Sequence, residues 1–430
     1  SKSFLIIYLR RVHSVEAEEQ ISGKKLVKVN TDKLAMGMYI AKLDRPWLDS
    51  PFLFQGFPLE RNEDLATLRA LCDYVYVDAV KSKSLRRPAK REESLDDILK
   101  REKTTYIKAH PVENEIDRAK TDYDVALASV EEILQQAARG ETINAKIAKQ
   151  HVKACVDSVI RNPNALIWLS HIKHVDNHTA EHCLHVGILA IALGRQLGLP
   201  RRHLETLGLC GMLHDVGKTR VNLKVLFKQD KLTPEEFEHL KQHPVYGRDL
   251  LQHDPMMPPE VIEAAFSHHE RIDGQGYPRG IDASMLSFYT RITSIVDAYD
   301  GLTSPRMFSE QKSSTAALKI LYEQRGKQFD QDLVVKFIEC VGLYPPGCIV
   351  ELSSGEVGVV IASDADNRLH PKVVLVLDGN KRPIKKTMID LKTLDEAQRK
   401  EYHIKQVIRD GTYGVRLEEF TANTDFAPTV

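Results

Sequence analysis

The sequence predicts a mainly α protein: a helical central domain that carries the chemistry, a small N-terminal α+β domain, and a short C-terminal β-barrel-like tail. Three observations predict this. Helical periodicity begins near Glu115 and runs to about Gly342, interrupted by Gly/Pro loops. Before it, short alternating strand patterns surround one helix. After Tyr344-Pro345-Pro346-Gly347 the chain turns to apolar runs separated by turn signals. A chain of 430 residues also exceeds the usual size of one core, so several domains are expected.

Residues 1–24 read as a tag or disordered leader. Ser1 stands where Met would, and the apolar run Phe4 to Leu9 is too short to span a bilayer and meets Arg10-Arg11. In 25–80, Leu26–Val29, Met38–Ala41 and Tyr74–Val77 alternate as strands and Asn62–Leu71 as a helix. Residues 81–142 read as a charged linker (Lys81 to Lys108) followed by a helix from Glu115 to Ala138. Its apolar stripe would hold Val125, Leu127, Val130, Ile133 and Leu134, and Gly140 ends it. That long helix is a candidate homodimer face, with packing on its own domain as the alternative. The helical domain is placed at 143–342, opening with a helix from Asn144 to Ile160 stopped by Asn162-Pro163. Strands at Cys348–Leu352, Val357–Ile361 and Val373–Leu377 form a small β domain at 343–395, and 396–430 is a C-terminal tail.

Lys+Arg and Asp+Glu each number 60, so no global basic field argues for a nucleic-acid or anionic-membrane partner. The six cysteines are scattered with no C-x-x-C pair, which argues against a disulfide framework or a cysteine zinc site and fits a reducing cytoplasm.

Twelve of the 17 histidines fall between His171 and His269, and that concentration needs a reason. Five segments hold it. His178, His182 and His185 are spaced to share one helix face. His214-Asp215 follows the apolar run Leu207 to Leu213, where a charged pair is costly to bury unless a divalent metal compensates it. Lys218 lies one turn beyond His214. His243-Pro244 suits a helix start. His268-His269-Glu270 precedes a loop from Asp273 to Pro278 whose Gly274 and Gly276 let the backbone come close to a ligand. Asp297-Ala-Tyr-Asp300 lies in an apolar helix. Singly, each has a plain reading: His171, His174, His203, His239 and His253 as solvent-facing or hydrogen-bonded side chains, Asp297 as a partner of Arg291, the loop as a turn. Their ordered recurrence through one helical domain points to a metal-dependent phosphohydrolase.

The segments strongly resemble the HD-GYP branch of the HD-domain phosphohydrolases over roughly 165–342. HD-x-G-K stands at His214 to Lys218, HP-x-x-G at His243 to Gly247, HHE-x-x-DG-x-GYP at His268 to Pro278, and D-x-Y-D-x-L-T at Asp297 to Thr303. The resemblance implies a c-di-GMP phosphodiesterase on an HD-type helical domain, producing linear pGpG and sometimes GMP. It implies one metal on His182, His214 and Asp297, a second on His243, His268 and His269, Asp215 bridging them, and Lys218 near the scissile phosphate. Gly276, Tyr277, Pro278 and Arg306 are the implied substrate-binding residues, and the loop that holds the first three is the implied contact for diguanylate-cyclase domains. Imidazoles and carboxylates without thiolates suit iron or manganese. Two such ions about 3.5–4 Å apart hold a bridging hydroxide and clamp phosphoryl oxygens, and Lys218 supplies a cation for the developing charge.

The chain departs from the family in three places. His178 stands where a carboxylate holds a third metal in some members, so two metals are expected here. Ser309 and Glu310 stand where basic residues contact the nucleotide, which bears on substrate affinity. The N-terminal domain lacks a receiver's phospho-acceptor signature. Three other readings compete: a c-di-GMP receptor or docking module with weak hydrolysis, a phosphohydrolase of another nucleotide, and, remotely, a di-iron oxygenase that would leave Lys218 and the GYP loop without a role.

Overall fold

The computed structural model describes residues 18–21, 24–45, 50, 52, 56–59, 62–78, 82, 94–172, 178–226, 228, 230–304, 312–363 and 369–420, in two compact units divided after Glu93. No helix among them is long and apolar enough to cross a membrane.

The first unit is an antiparallel sheet with one helix. Strands β1 (Glu18–Ile21), β2 (Lys24–Asn30), β3 (Tyr39–Leu43), β4 (Phe57–Pro58) and β5 (Tyr74–Asp78) are ordered β1-β2-β5-β3-β4, and helix α1 is Asn62–Leu71. Alternation along β5 buries Val75 and Val77 while Tyr74 and Tyr76 stay half-exposed, as a strand with one covered face requires. Those valines meet Ile40, Leu43, Leu59, Leu68 and Cys72 in a small core. The expected α+β segment is present, but Glu18–Ile21 pairs with β2 in register from Glu18↔Val27, so part of the supposed leader is an edge strand.

The second unit begins at Ser94, so residues 94–108 of the stretch expected to be linker belong to it. Ser94 caps helix α2 (Leu95–Glu102), accepting from Asp97 N–H. Helix α3 (Val112–Arg139) ends at Gly140, whose φ of 82° gives the left-handed cap. It buries Ile116, Ala119, Tyr123, Ala126, Val130, Ile133 and Ala137, a 3–4 spaced stripe used up by its own unit. Val125 lies one position off that stripe and is exposed, contrary to expectation.

Asn162 ends helix α4 (Ala145–Arg161) and at once caps α5 (Pro163–Ser170), accepting from Asn164 N–H with Pro163 in the first turn. The Asn-Pro pair therefore stops one helix, as expected, and starts the next. Every residue from Asn164 to Ser170 is buried, because α5 packs between the other helices and a sheet. Truncating Trp168 at its centre to Ala would cost about 3–5 kcal/mol by cavity formation.

Helices α6 (His178–Leu197) and α7 (Arg201–Leu213) make the most extensive helix pair. They cross backbone to backbone: a Cβ on Gly211 would lie 2.4 Å from Gly187 N. Short helices α8 (Leu223–Leu226), α9 (Pro234–Leu240), α10 (His243–Leu251) and α11 (Pro259–Ser267) follow, then α12 (Phe288–Thr303), α13 (Ser314–Gln324) and α14 (Gln331–Val341).

The β tail is a five-stranded antiparallel sheet, not three strands: β6 (Ile349–Leu352), β7 (Val357–Ala362), β8 (Lys372–Leu377), β9 (Pro383–Asp390) and β10 (Ile404–Ile408), ordered β10-β6-β7-β8-β9. Its ends are unpaired among the described residues. Helix α15 (Glu396–Glu401) and β10 lie in what was expected to be tail, and β10 pairs with β6. The inner strands read as unbroken apolar runs because both faces are covered. Val357, Val359 and Val374 join the helical core, while Val350, Val360 and Val373 form a second cluster with Leu391.

Candidate metal centre

The fold brings four helix ends and the middle of α12 to one point. His182 comes from the first turns of α6, and His214 is the C-cap of α7. Asp215 follows at φ −100°, ψ 7°, the sparsely populated bridge region, and leads into a 3-10 turn, Val216–Arg220, that carries Lys218. His243 opens α10, His268 caps α11, and Asp297 lies in α12.

Gly217 makes this possible. A Cβ there would fall 1.9 Å from His243 O and 2.4 Å from Gly247 N, so the 3-10 turn lies flat on the start of α10. Gly217→Ala is expected to cost about 1–3 kcal/mol of stability and to displace His243. Thermal unfolding together with metal content checks this, and a variant that is unchanged in both contradicts the packing argument.

Three ring orientations are set the same way. His214 Nδ1 donates to Gly211 O at 2.7 Å, His243 Nδ1 to Leu240 O at 2.8 Å, and His268 Nδ1 to Ala265 O at 3.0 Å. A carbonyl oxygen only accepts, so each Nδ1 carries hydrogen and each Nε2 is left to face the centre. His182 Nδ1 donates instead to Asp300 Oδ2 at 2.7 Å.

Asp215 sits between the rings, 1% exposed. Its Oδ2 faces His182 Nε2 at 3.5 Å and His214 Nε2 at 3.3 Å, whereas Oδ1 faces His243 Nε2 at 3.3 Å and His268 Nε2 at 3.6 Å. Asp297 Oδ1 closes the first side, 3.1 Å from His182 Nε2 and 3.6 Å from His214 Nε2. His269 joins the second, its ring centroid 4.2 Å from that of His268 and 5.0 Å from that of His243. The Lys218 ammonium bonds Asp215 Oδ2 with its side chain a quarter exposed.

The electrostatics separate the two sides. Burial disfavours the charged form of Asp215, but His214 and Lys218 outweigh it and hold the carboxyl well below the usual range. Burial likewise opposes charge on His214, and Asp215 beside it overcomes that and raises the ring to about 9. On the other side burial pushes His268 down to about 4, and it also pushes His269 well down.

Several features fit divalent metal. His243 Nε2 and His268 Nε2 lie 3.2 Å apart with both Nδ1 atoms committed elsewhere, so the second nitrogens of the two rings converge on one point beside a carboxylate oxygen. His214 Nε2 and Asp215 Oδ1 are buried without a hydrogen-bond partner among the described residues. The ligating atoms of Asp215, His243, His268 and His269 lie within 4.8 Å of one another, as do those of His182, His214 and Asp215 and those of His214, His268 and Asp297. The donors are imidazole and carboxylate without thiolate, a set that suits first-row divalent ions.

All seven expected ligands and Lys218 therefore converge. Asp297 does not pair with Arg291, which binds Asp330 instead. Among the histidines read as bystanders, His171 Nδ1 bonds Ile167 O and His203 Nδ1 bonds the Tyr289 hydroxyl. Gly276 approaches its own chain rather than open space, since a Cβ there would lie 2.4 Å from Glu270 Cα. Tyr277 stacks on His269 with centroids 4.7 Å apart, and Pro278 continues the loop. Arg306, Ser309 and Glu310 lie outside the described residues, as do His174 and the side chain of His178.

Two carboxylates had no assigned role in the sequence. Asp300 orients His182. Glu270 pins the loop, accepting from the N–H groups of Arg279, Gly280 and Ile281 at 2.6, 3.1 and 3.2 Å. The i,i+3 spacing of Asp297 and Asp300 was the one available signal for the first.

Residues 164–333 match a family model described as an HD domain, and 26–148 match a domain of unknown function (DUF3391). The chain is 34% identical over 375 residues to a protein of Pseudomonas aeruginosa named as a cyclic di-GMP phosphodiesterase, covering 85% of this chain and 89% of that one. It is 35% identical over 160 residues to a cyclic di-GMP phosphodiesterase response regulator of Xanthomonas campestris, covering 37% and 42%. Among solved structures, an HDG"Y"P protein from Bdellovibrio bacteriovorus aligns with a TM-score of 0.45 at 19% identity, covering 73% of this chain and 98% of that chain.

Proposed function

This chain belongs to the HD-GYP family of HD-domain phosphodiesterases, and from its metal centre we infer that it hydrolyses c-di-GMP to linear pGpG. One observation carries the reading: the two oxygens of Asp215 face two separate sets of histidines, with Lys218 at the edge. One ion is assigned to His182, His214 and Asp297 and the other to His243, His268 and His269, with Asp215 shared. Iron or manganese is the assigned metal.

Bound there, two divalent ions supply Lewis acidity and a water of lowered pKa. The chain's own residues do the rest. Asp215 and Asp297 bring negative charge to a buried site, and the backbone carbonyls behind His214, His243 and His268 hold those rings in one tautomer. Lys218, anchored on Asp215, offers an ammonium to the phosphate oxygen on which charge develops. Tyr277, stacked on His269, presents an aromatic face beside the centre for the nucleotide.

A second reading is a receptor or docking module, and the pinned loop 273–281 favours it. Glu270 and the Arg271–Asp273 pair hold that loop in one shape, as a surface for a diguanylate-cyclase partner would require. We take the setting to be the cytoplasm, consistent with six free cysteines.

Protein reconstituted with manganese or ferrous iron and offered c-di-GMP, other cyclic dinucleotides and a linear phosphodiester should turn over c-di-GMP fastest, with pGpG as product. Tight c-di-GMP binding without turnover, at confirmed metal content, would transfer the case to the receptor. Faster turnover of another cyclic dinucleotide would reassign the substrate.

A further inference from the structure

Behind His182 lies a buried run of polar side chains that hold no metal themselves. His182 Nδ1 donates to Asp300 Oδ2 at 2.7 Å, and Ser304 Oγ donates to the same oxygen at 2.9 Å. The other oxygen of Asp300 faces His185 Nδ1 at 3.5 Å. His185 Nε2 in turn meets the Tyr123 hydroxyl at 2.7 Å. The run is shut off from solvent, with Tyr123 7%, His185 0% and Asp300 2% exposed.

Its polarity runs one way. A carboxylate only accepts, so the His182 nitrogen bonded to Asp300 carries hydrogen. His185 Nδ1 stands 3.5 Å from the other oxygen, outside hydrogen-bond geometry, and the negative charge it faces favours hydrogen there too. The far nitrogen of His185 is then an acceptor, and the Tyr123 hydroxyl must donate to it. Burial, with Glu181 and Asp300 nearby, pushes the Tyr123 phenol well up, so it keeps the proton it donates. At the other end His182 is left with Nε2 aimed at Asp215 and Asp297. Each link fixes the tautomer of the next, and the last link is a ring assigned to metal. Buried hydrogen bonds and charges arranged in this way orient a ligand and tune its basicity.

We propose that Tyr123 is a positioning residue of the metal centre, acting through His185 and Asp300 to fix the tautomer and orientation of His182. The assignment rests on the metal-centre reading above. Tyr123 sits on α3, inside the stretch matched to the uncharacterised domain and outside the 164–333 stretch that supplies every assigned ligand. A helix on the N-terminal side thus completes the surroundings of a site built by the later part of the chain. Disturbing α3 is then felt at the metal.

The test is manganese(II) affinity, measured by competition with a chromophoric chelator on full-length protein. Tyr123→Phe keeps the ring and its packing and removes only the hydroxyl. It should bind manganese roughly tenfold more weakly, the low end for an outer residue, with an unchanged KM. Asp300→Asn should weaken binding further, and adding Tyr123→Phe to it should cost nothing more, because the path is already cut. Unchanged affinity in Tyr123→Phe overturns the proposal. So does an equal loss in the Asp300→Asn background, which would mark a packing effect independent of the relay. Wild-type protein that binds no manganese would bring down the metal-centre reading, and this inference with it, as a separate result.

Discussion

Asp215→Ala should abolish turnover and strip metal from both sides of the centre at once. Its two oxygens divide between the two sets of histidines: Oδ2 lies within 3.5 Å of His182 and His214, and Oδ1 lies 3.3 Å from His243 and 3.6 Å from His268. Losing metal charge at a phosphoryl oxygen removes several kcal/mol of transition-state stabilisation, so kcat/KM should fall roughly a thousandfold or more. The metal-free fold should survive better than the loss of a buried carboxylate suggests. His214, raised to about 9 by Asp215 and Asp297 against burial, is less strongly held in its charged form once Asp215 is gone, and Lys218 reaches solvent from a quarter-exposed position. Metal analysis, turnover and thermal unfolding of the metal-free protein check the three parts separately. Asp215→Ala with two metals bound would remove it as the bridge.

Lys218→Met should separate catalysis from metal binding. The substitution keeps the apolar stem and deletes the ammonium on Asp215 Oδ2. That ammonium is itself a competitor for the oxygen assigned to metal, so metal content should be retained or rise. If Lys218 meets charge developing on phosphate, kcat should drop on the order of 10²–10³-fold, as for removal of one preorganised donor, with KM little changed. A variant that turns over normally, or one that loses its metal, would reduce Lys218 to a counter-ion of Asp215.

The residues that converge on the centre were named from the family resemblance, and their motifs also carry a physical signal. His214, His243, His268 and His269 stand at helix ends, where motif and helix boundary coincide and the direction of the chain is nearly fixed by local rules. What lay behind the ligands was not legible. Asp300 could have pointed at solvent, metal or a ring, and only the crossing of α12 on α6 decides for His182. Tyr123 reaches His185 across 62 residues with no spacing signal at all. The same division holds for the fold. Strongly periodic segments such as α1 fell where expected, whereas β10 carries Lys405 and Gln406 on a sheet edge and has little apolar pattern to announce it. Val125 shows how a stripe misjudged by one position places a side chain in water.

The central claim is a centre of two metals joined by Asp215 that cuts a phosphodiester. Titrating metal-free protein with manganese(II) while following both bound metal and c-di-GMP hydrolysis tests it most directly. Activity should stay low through the first equivalent per chain, rise with the second and then level off. Full activity at one equivalent, or none with two bound, would contradict it.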